Sequence, residues 1–333
     1  MNPSDNRDVT LWLPPWAPLR EHFMESARLQ RVARQADRLQ AAGGDEARLA
    51  RTFEILPRSL PVAALTRQLD AGDALGFTWL RADPGCVRPA MASARLVACG
   101  DLGLSSAECE ALLKPLKPLF GDEGFPISAP VPSRWYLCLP PDTRLPDFAP
   151  PSAVLNDDLF AHLPEGASGQ RWRRLMNEAQ IILHNHPVNA ARTRAGKLPA
   201  NTLWFWGAGR LPDHVQSAHA AVFTDDAVVA SLCAFAGITC RTGTLPSVGA
   251  TGVPQAGDEG ALERLEWAEL RGVVLDLRGL PDPALLEARW LDRLIDAVAR
   301  RAIDALVLDF GDGLLLRWRG AHRWRLWRRR LSA

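Results

Sequence analysis

Residues 192–210 gather the side chains best suited to holding an anion: Arg192, Arg194, Lys197 and Arg210, around the glycine pair Gly207 and Gly209. Their cationic groups supply charge. Glycine backbone N–H groups, with Arg210 beside them, can hold a phosphate or carboxylate oxygen with no side chain in the way. Pro187 suits a first helical position and Gly196 the position just past a helix end, while Pro199 prevents the helix from resuming. Thr202-Leu-Trp-Phe-Trp206 is an apolar run of strand length, and Gly207-Ala-Gly209 permits a sharp turn after it. If that strand belongs to an open α/β sheet, its carboxyl end is where ligands bind, and the cations would converge there.

Other candidate chemistry is weaker. His184 and His186 could form a metal pair, but no cysteine or carboxylate stands at ligand spacing, and His186 reads better as fixing a helix start before Pro187. Gly207-Ala-Gly209 is half of a dinucleotide fingerprint; Leu211-Pro212 follows where a helix should open, so a plain turn packed beneath a cleft is the other reading. Asp276 and Asp309 end apolar runs, as many catalytic acids do, yet no histidine accompanies them and no catalytic residue is assigned. Neither a Ser-His-Asp grouping nor a Gly-x-Ser-x-Gly elbow is visible. From Arg317 to Arg330, arginine interleaves with tryptophan. Such a pattern can stack on bases, or form a closing hairpin of Leu314–Trp318 and Arg323–Trp327 with Trp inward and Arg outward; the hairpin is preferred.

The elements needed to position these groups are legible in outline. Val9–Leu13 reads as an opening strand closed by Pro14-Pro15, and Leu19–Leu39 has helical spacing. A helix at Leu60–Leu69 and a strand at Gly76–Arg81 follow. From Arg81 to Pro151 elements are short and prolines frequent: a strand at Arg95–Cys99, a helix opened by a capping box at Ser105 and Glu108, and a strand at Arg134–Leu139. Ser168 could cap a helix with Trp172, Leu175, Met176, Ala179 and Leu183 on one face. Ala220–Phe223, a helix from Asp225 to Phe235 capped by Thr224 and ended by Gly237, Val273–Leu277, a helix near Pro283–Arg301, and Ala305–Asp309 then alternate. Such alternation predicts an α/β fold, a mostly parallel sheet flanked by helices. The expected division is a core of residues 1–76 plus 152–333, with 77–151 as a small inserted α+β domain.

The chain has 333 residues, 47% of them hydrophobic, which is ample for a packed core. A net charge of +1 gives no global reason to expect nucleic acid or a membrane. The six cysteines form no C-x-x-C pair and read as reduced and buried. The polar start shows no signal peptide, and no apolar run is long enough to span a bilayer, so a cytoplasmic protein is expected.

Asn189, Arg192, Gly196-Lys197, Pro199, Asn201, Gly207 and Gly209 together resemble a motif of archaeal-type, cofactor-independent phosphoglycerate mutases, members of the alkaline-phosphatase superfamily. Leu60–Arg81 looks like that family's entry into its inserted domain. A narrower resemblance, through Trp79-Leu-Arg-Ala-Asp-Pro84 and Asn201-x-Leu-Trp-Phe-Trp-Gly-x-Gly209, is to bacterial regulatory proteins of the RpfE type, named for regulation of pathogenicity factors. The resemblance implies an alkaline-phosphatase-like core, and anion contacts at Arg81, Arg192 and Lys197, with His186, Asn189 and Asn201 beside them. It also implies two divalent metals, Mn or Mg, which stabilise attacking and leaving oxygens in phosphotransfer.

The family's metal-binding motifs are missing here. The first strand ends in Leu13-Pro14-Pro15-Trp16, not in a carboxylate loop, and Asp309-Phe-Gly-Asp312-Gly313 lacks the expected histidine. The expectation is a degenerate, cofactor-free scaffold with a regulatory or ligand-sensing role, its partners a small phosphorylated or carboxylate ligand and a regulatory protein. The alternative is an active mutase-like phosphotransferase with metals rearranged near Asp276, Asp309 and Asp312.

Overall fold

The computed structural model describes residues 7–90, 93–241, 272–280 and 282–325. In chain order the first elements are β1 (Asp8–Leu13), α1 (Trp16–Glu25), α2 (Ala27–Gln35), β2 (Asp37–Gln40), α3 (Asp45–Thr52) and β3 (Phe53–Leu56). Next come α4 (Val62–Ala71), β4 (Thr78–Pro89), β5 (Ala94–Cys99), α5 (Ser106–Asp122), β6 (Ile127–Val131) and β7 (Arg134–Leu139). They are followed by α6 (Pro151–Val154), α7 (Gly166–His184), α8 (Pro187–Arg194) and β8 (Thr202–Gly209). The chain continues through β9 (His214–Ser217), β10 (Ala221–Phe223), α9 (Ala227–Ala236), β11 (Thr239–Arg241) and β12 (Val273–Asp276). It closes with α10 (Pro283–Leu286), α11 (Asp292–Ala299), β13 (Ala305–Phe310) and β14 (Leu314–Arg319).

Two compact units result, one of Met1–Arg58 with Asp213–Ala333 and one of Ser59–Pro212. The first contains a seven-stranded sheet in the order β11-β10-β12-β1-β13-β14-β2. Strands β11 to β13 in that order are parallel, and β14 is antiparallel to both its neighbours. This is the expected mixed α/β architecture. Alternation along β1 sends Val9, Leu11 and Leu13 into a core shared with Phe23 of α1, Leu29 and Val32 of α2, and Leu294 of α11. Trp12 faces the other way, level with Asp276 on β12 and Asp309 on β13.

Several expected elements differ in detail. The single helix over Leu19–Leu39 is two helices and a strand. Ser26 takes extended backbone and accepts from the Leu29 N–H at 3.3 Å, capping α2 instead of continuing α1. Leu39 sits on β2 and is 62% exposed. Asp226, not Thr224, caps α9, because its carboxylate reaches the N–H groups of Val228 and Val229. The helix near Pro283 is α10 and α11 joined by a wide turn at Glu287–Leu291. Finally, β14 pairs with β13 and β2, and Gly320–Trp324 is a 3₁₀ turn, so Arg323 and Trp324 form no hairpin strand. Residues 326–333 lie outside the described residues.

The second unit is an antiparallel sheet covered by helices. The twelve-residue β4 is its spine, pairing with β7 through Thr78–Arg81, with β5 through Gly85–Pro89, and with β8 along the opposite edge. Trp172 of α7 stacks on Phe125 at 5.3 Å and meets Phe205 of β8 edge-on at 5.3 Å. These contacts move the expected boundaries. The unit runs from Ser59 to Pro212 instead of 77 to 151, since α7 and β8 share one core with β4, and α4 packs on Trp79 of β4 in a second cluster. The position of Ser168 also changes: α7 begins at Gly166, two residues before it.

No helix among the described residues is long and apolar enough to cross a membrane.

Candidate functional site

The carboxyl ends of the parallel strands β12 and β13 deliver Asp276 and Asp309 on either side of Trp12. This edge is where an open α/β sheet offers a ligand site. Three arginines fill the space around the carboxylates. Arg51 of α3 reaches both oxygens of Asp309 at 3.0 Å through Nη2. Arg48, one turn earlier on α3, donates to the Leu13 carbonyl at 2.8 Å, the Asp309 carbonyl at 2.9 Å and the Asp309 carboxylate at 3.4 Å. Arg278 grips Asp276 with two bonds of 2.8 and 2.7 Å and reaches Asp226 at 3.0 Å. Asp45 lies 3.6 Å from Arg48 and 3.2 Å from Arg278, joining the two halves. Thr224 completes the shell by donating its hydroxyl proton to Asp276 at 2.8 Å.

Local sequence explains the delivery. Arg48 and Arg51 stand three residues apart on one helix face, and Asp276 and Arg278 two residues apart as β12 ends. Burial is deep: Arg48 is 1% exposed and Asp309 3%. Burial raises the Asp276 carboxyl, but the hydrogen bonds and charge of Arg278, with Thr224, outweigh it and hold the group below its ordinary range. Arg48 is shifted down, chiefly by burial against the pull of Asp309. Each of these carboxylates and guanidiniums thus has an ionic partner of opposite sign within the cluster. Asp312 is separate from it, accepting the Trp16 N–H at 3.0 Å at the start of α1.

The anion candidates from the sequence lie in the second unit. Because β8 runs antiparallel to β4, the ligand rule for parallel sheets does not reach its end. Arg81 is 5% exposed, holds Asp83 through two bonds of 2.8 Å, and lies 5.3 Å from the ring centres of Tyr136 and Trp206. Asp83 also accepts from Trp206 Nε1 at 2.7 Å, while its burial pushes its carboxyl upward against these partners.

Arg192, 1% exposed, donates to the carbonyls of Leu198, Gly103 and Leu102 and to Glu108. Its partners differ from those of Arg81, which holds Asp83 and Thr66. His186 caps α8 by accepting the Val188 N–H at 3.3 Å. Asn189 donates to the carbonyls of Leu183 and Ala200 and accepts the Ala200 N–H. Asn201 imitates a strand partner, accepting the Val87 N–H at 2.8 Å and donating to its carbonyl at 2.9 Å.

Gly207 and Gly209 serve α4. A Cβ on Gly207, whose φ is +65°, would lie 2.8 Å from Val62 Cβ, and one on Gly209 2.5 Å from Pro61 Cβ. Lys197 and Arg194 are exposed. Arg210 is exposed as well and donates to the Gly76 carbonyl at 3.2 Å.

No family model matches the chain. Comparison with individual proteins is informative. A probable 2,3-bisphosphoglycerate-independent phosphoglycerate mutase of Geobacter sulfurreducens is 31% identical over 169 residues, covering 49% of this chain and 42% of the relative. The corresponding enzyme of Methanosarcina barkeri is 28% identical over 199 residues, 59% of this chain and 50% of its own length. This chain is similar to cofactor-independent phosphoglycerate mutases. It spans half the length, or less, of the curated relatives it matches. Among solved structures, a cofactor-independent phosphoglycerate mutase from Thermoplasma acidophilum aligns over 94% of this chain and 90% of its own, with 16% identity and a TM-score of 0.39. A Pyrococcus horikoshii protein aligns over 94% and 87%, with 15% identity and a TM-score of 0.45.

The sequence reading missed the arginine cluster. Its available signals were the Asp276-x-Arg278 and Arg48-x-x-Arg51 spacings, both compatible with one face.

Proposed function

We propose that this chain is a non-catalytic, regulatory or ligand-sensing protein on a phosphoglycerate mutase-like scaffold, in the manner of the RpfE-type regulators. The observation that carries the reading is the engagement of Asp276 and Asp309 by guanidinium groups. The resemblance to the mutases implies two divalent cations held by aspartate and histidine. Among the described residues, no group of three or more His, Cys, Asp or Glu is arranged to hold a metal ion. Each strand-end carboxylate already has its positive counterpart covalently attached to the chain. The donor set does not fit Mn or Mg, and no phosphotransfer step is derived through them.

A small phosphorylated or carboxylate ligand remains the effector best matched to the exposed cations Lys197 and Arg210. Incubation of the purified chain with Mn²⁺ and 3-phosphoglycerate should yield no 2-phosphoglycerate by phosphorus NMR. Sustained turnover, abolished by chelator, would overturn the non-catalytic reading. Without manganese, 3-phosphoglycerate should raise the melting temperature of the wild type and not of a Lys197→Ala/Arg210→Ala variant; an unchanged wild type removes the ligand-sensing part.

A further inference from the structure

Helix α9 ends at Gly237, which takes the left-handed conformation with φ +66°. The chain reverses there: the Ile238 N–H returns to the Cys233 carbonyl at 3.1 Å, and Thr239 enters β11 by donating to the Ala220 carbonyl. Register then fixes Cys240 opposite Val222 of β10. This tight return sets Cys233, on the last turn of α9, beside Cys240 on the strand that follows, near enough for each thiol to influence the other. Cys233 is wholly buried beneath the helix, whereas Cys240 is partly exposed on the terminal strand of the sheet order.

We infer that Cys233 and Cys240 form a reversible oxidation site, closing an intramolecular disulfide when the protein meets a peroxide. Two neighbouring thiols, one reachable from solvent and one behind it, are the arrangement of an attacking and a resolving cysteine. Exposure assigns the roles: Cys240, the thiol open to solvent, meets the peroxide, and the buried Cys233 resolves it.

The Cys240 thiolate attacks one peroxide oxygen. The O–O bond breaks, hydroxide leaves and takes up the thiol proton as water, and Cys240 becomes a sulfenic acid. The Cys233 sulfur then attacks the sulfenic sulfur, the S–O bond breaks, and a second water departs with the Cys233 proton. Two thiols and one hydrogen peroxide thus give one disulfide and two waters, and a dithiol reductant reverses the change. The bond would tie the last turn of α9 to β11. The first turn of that helix is capped by Asp226, itself paired with Arg278. The inference does not depend on the mutase-like reading, because it concerns only these two thiols.

The test uses the full chain, reduced, desalted and exposed to one equivalent of hydrogen peroxide, then alkylated, digested without reductant and read by mass spectrometry. The expected product is a cross-linked peptide pair containing Cys233 and Cys240, two hydrogens lighter and released by dithiothreitol. Cys86, Cys99, Cys109 and Cys138 should escape oxidation, since burial raises each of these thiols, Cys109 to about 11, and should be found alkylated once the chain is unfolded in the reagent. In Cys233→Ser, Cys240 should be trapped as the sulfenic acid by dimedone; in Cys240→Ser, Cys233 should remain reduced. Oxidation of other cysteines while this pair stays unlinked would overturn the inference. Progression of wild-type Cys240 to the sulfinic acid beside a free Cys233 would overturn it equally.

Discussion

Arg48 and Arg278 share both an anion and a ring: each lies within ion-pair distance of Asp45, and their guanidinium carbons stand 5.9 and 5.2 Å from the centre of the Trp12 indole. One arrives from α3 and the other from the end of β12. The pair joins Asp309 and Asp276 into a single charge network over β1, the middle strand of the seven-stranded sheet. Removing Arg278 would leave the buried Asp276 carboxylate without a guanidinium partner.

Arg278→Ala should therefore be strongly destabilising. Asp276 loses both of its guanidinium bonds and its carboxylate stays in a site with 8% side-chain exposure. Breaking a buried ion pair from one side costs about 3–5 kcal/mol. Arg278→Lys should recover only part of this, since an ammonium cannot reproduce the two-point grip. Urea unfolding of the three proteins checks the order; equal stability of Arg278→Ala and wild type would refute it.

The same carboxylate predicts an acid limb. Asp276 is held below its ordinary value of 3.8 in the folded chain. Between the folded and unfolded values the unfolded chain binds more protons, so stability rises with pH there. The contribution is complete above about pH 5 and is lost as pH falls through the folded value. The stability gap between wild type and Asp276→Asn should narrow as pH is lowered across that window. A gap independent of pH, measured by urea unfolding, would show that the pairing is not what lowers the group.

Gly207→Ala separates packing from anion binding. The new Cβ would strike Val62 and the residue would be forced to keep φ +65°. Overpacking and the left-handed backbone together should cost about 1–3 kcal/mol. Thermal unfolding should register that loss, whereas any phosphate affinity measured on the folded fraction should stay unchanged. Lost affinity with unchanged stability would restore the glycine pair as an anion loop.

Arg192→Ala tests whether a buried arginine is a clasp. The truncation would strand the carbonyls of Leu102, Gly103 and Leu198 and the Glu108 carboxylate. Stranding the buried Leu102 carbonyl alone costs about 1–3 kcal/mol and the half-buried acceptors add to it, so a fall of several degrees in melting temperature is the expected result. A variant that melts within a degree or two of wild type would contradict the assignment.

How far the sequence speaks depends on the distance over which a partner lies. The capping box at Ser105 and Glu108, the left-handed glycine after α9 and the strand at Val9–Leu13 are local, and each stands in the structure as its residues imply. Leu39 misled because its helical spacing from Val32 gave no sign that α2 stops at Gln35 and that the next residues pair with β14. The sheet to which Trp204 belongs could not be read, since an apolar run has no direction until β4 supplies a partner. The ion cluster was hidden for a similar reason: Arg51 and Asp309 are separated by 258 residues. Arg81 and Arg192 look like surface cations in a row of letters, and only folding reveals the carbonyls and carboxylates that consume them.

The ladder of β3 and β9, closed by Leu56 opposite His214 and by the Asp213 N–H on the Leu56 carbonyl, has an evolutionary corollary. Ser59 to Pro212 is an excursion of the chain whose flanking residues are paired by that ladder. The entropy of closing such an excursion changes only slowly with its length. A gene encoding this protein could therefore lengthen, trim or exchange this middle stretch while the flanking segments go on meeting each other unchanged.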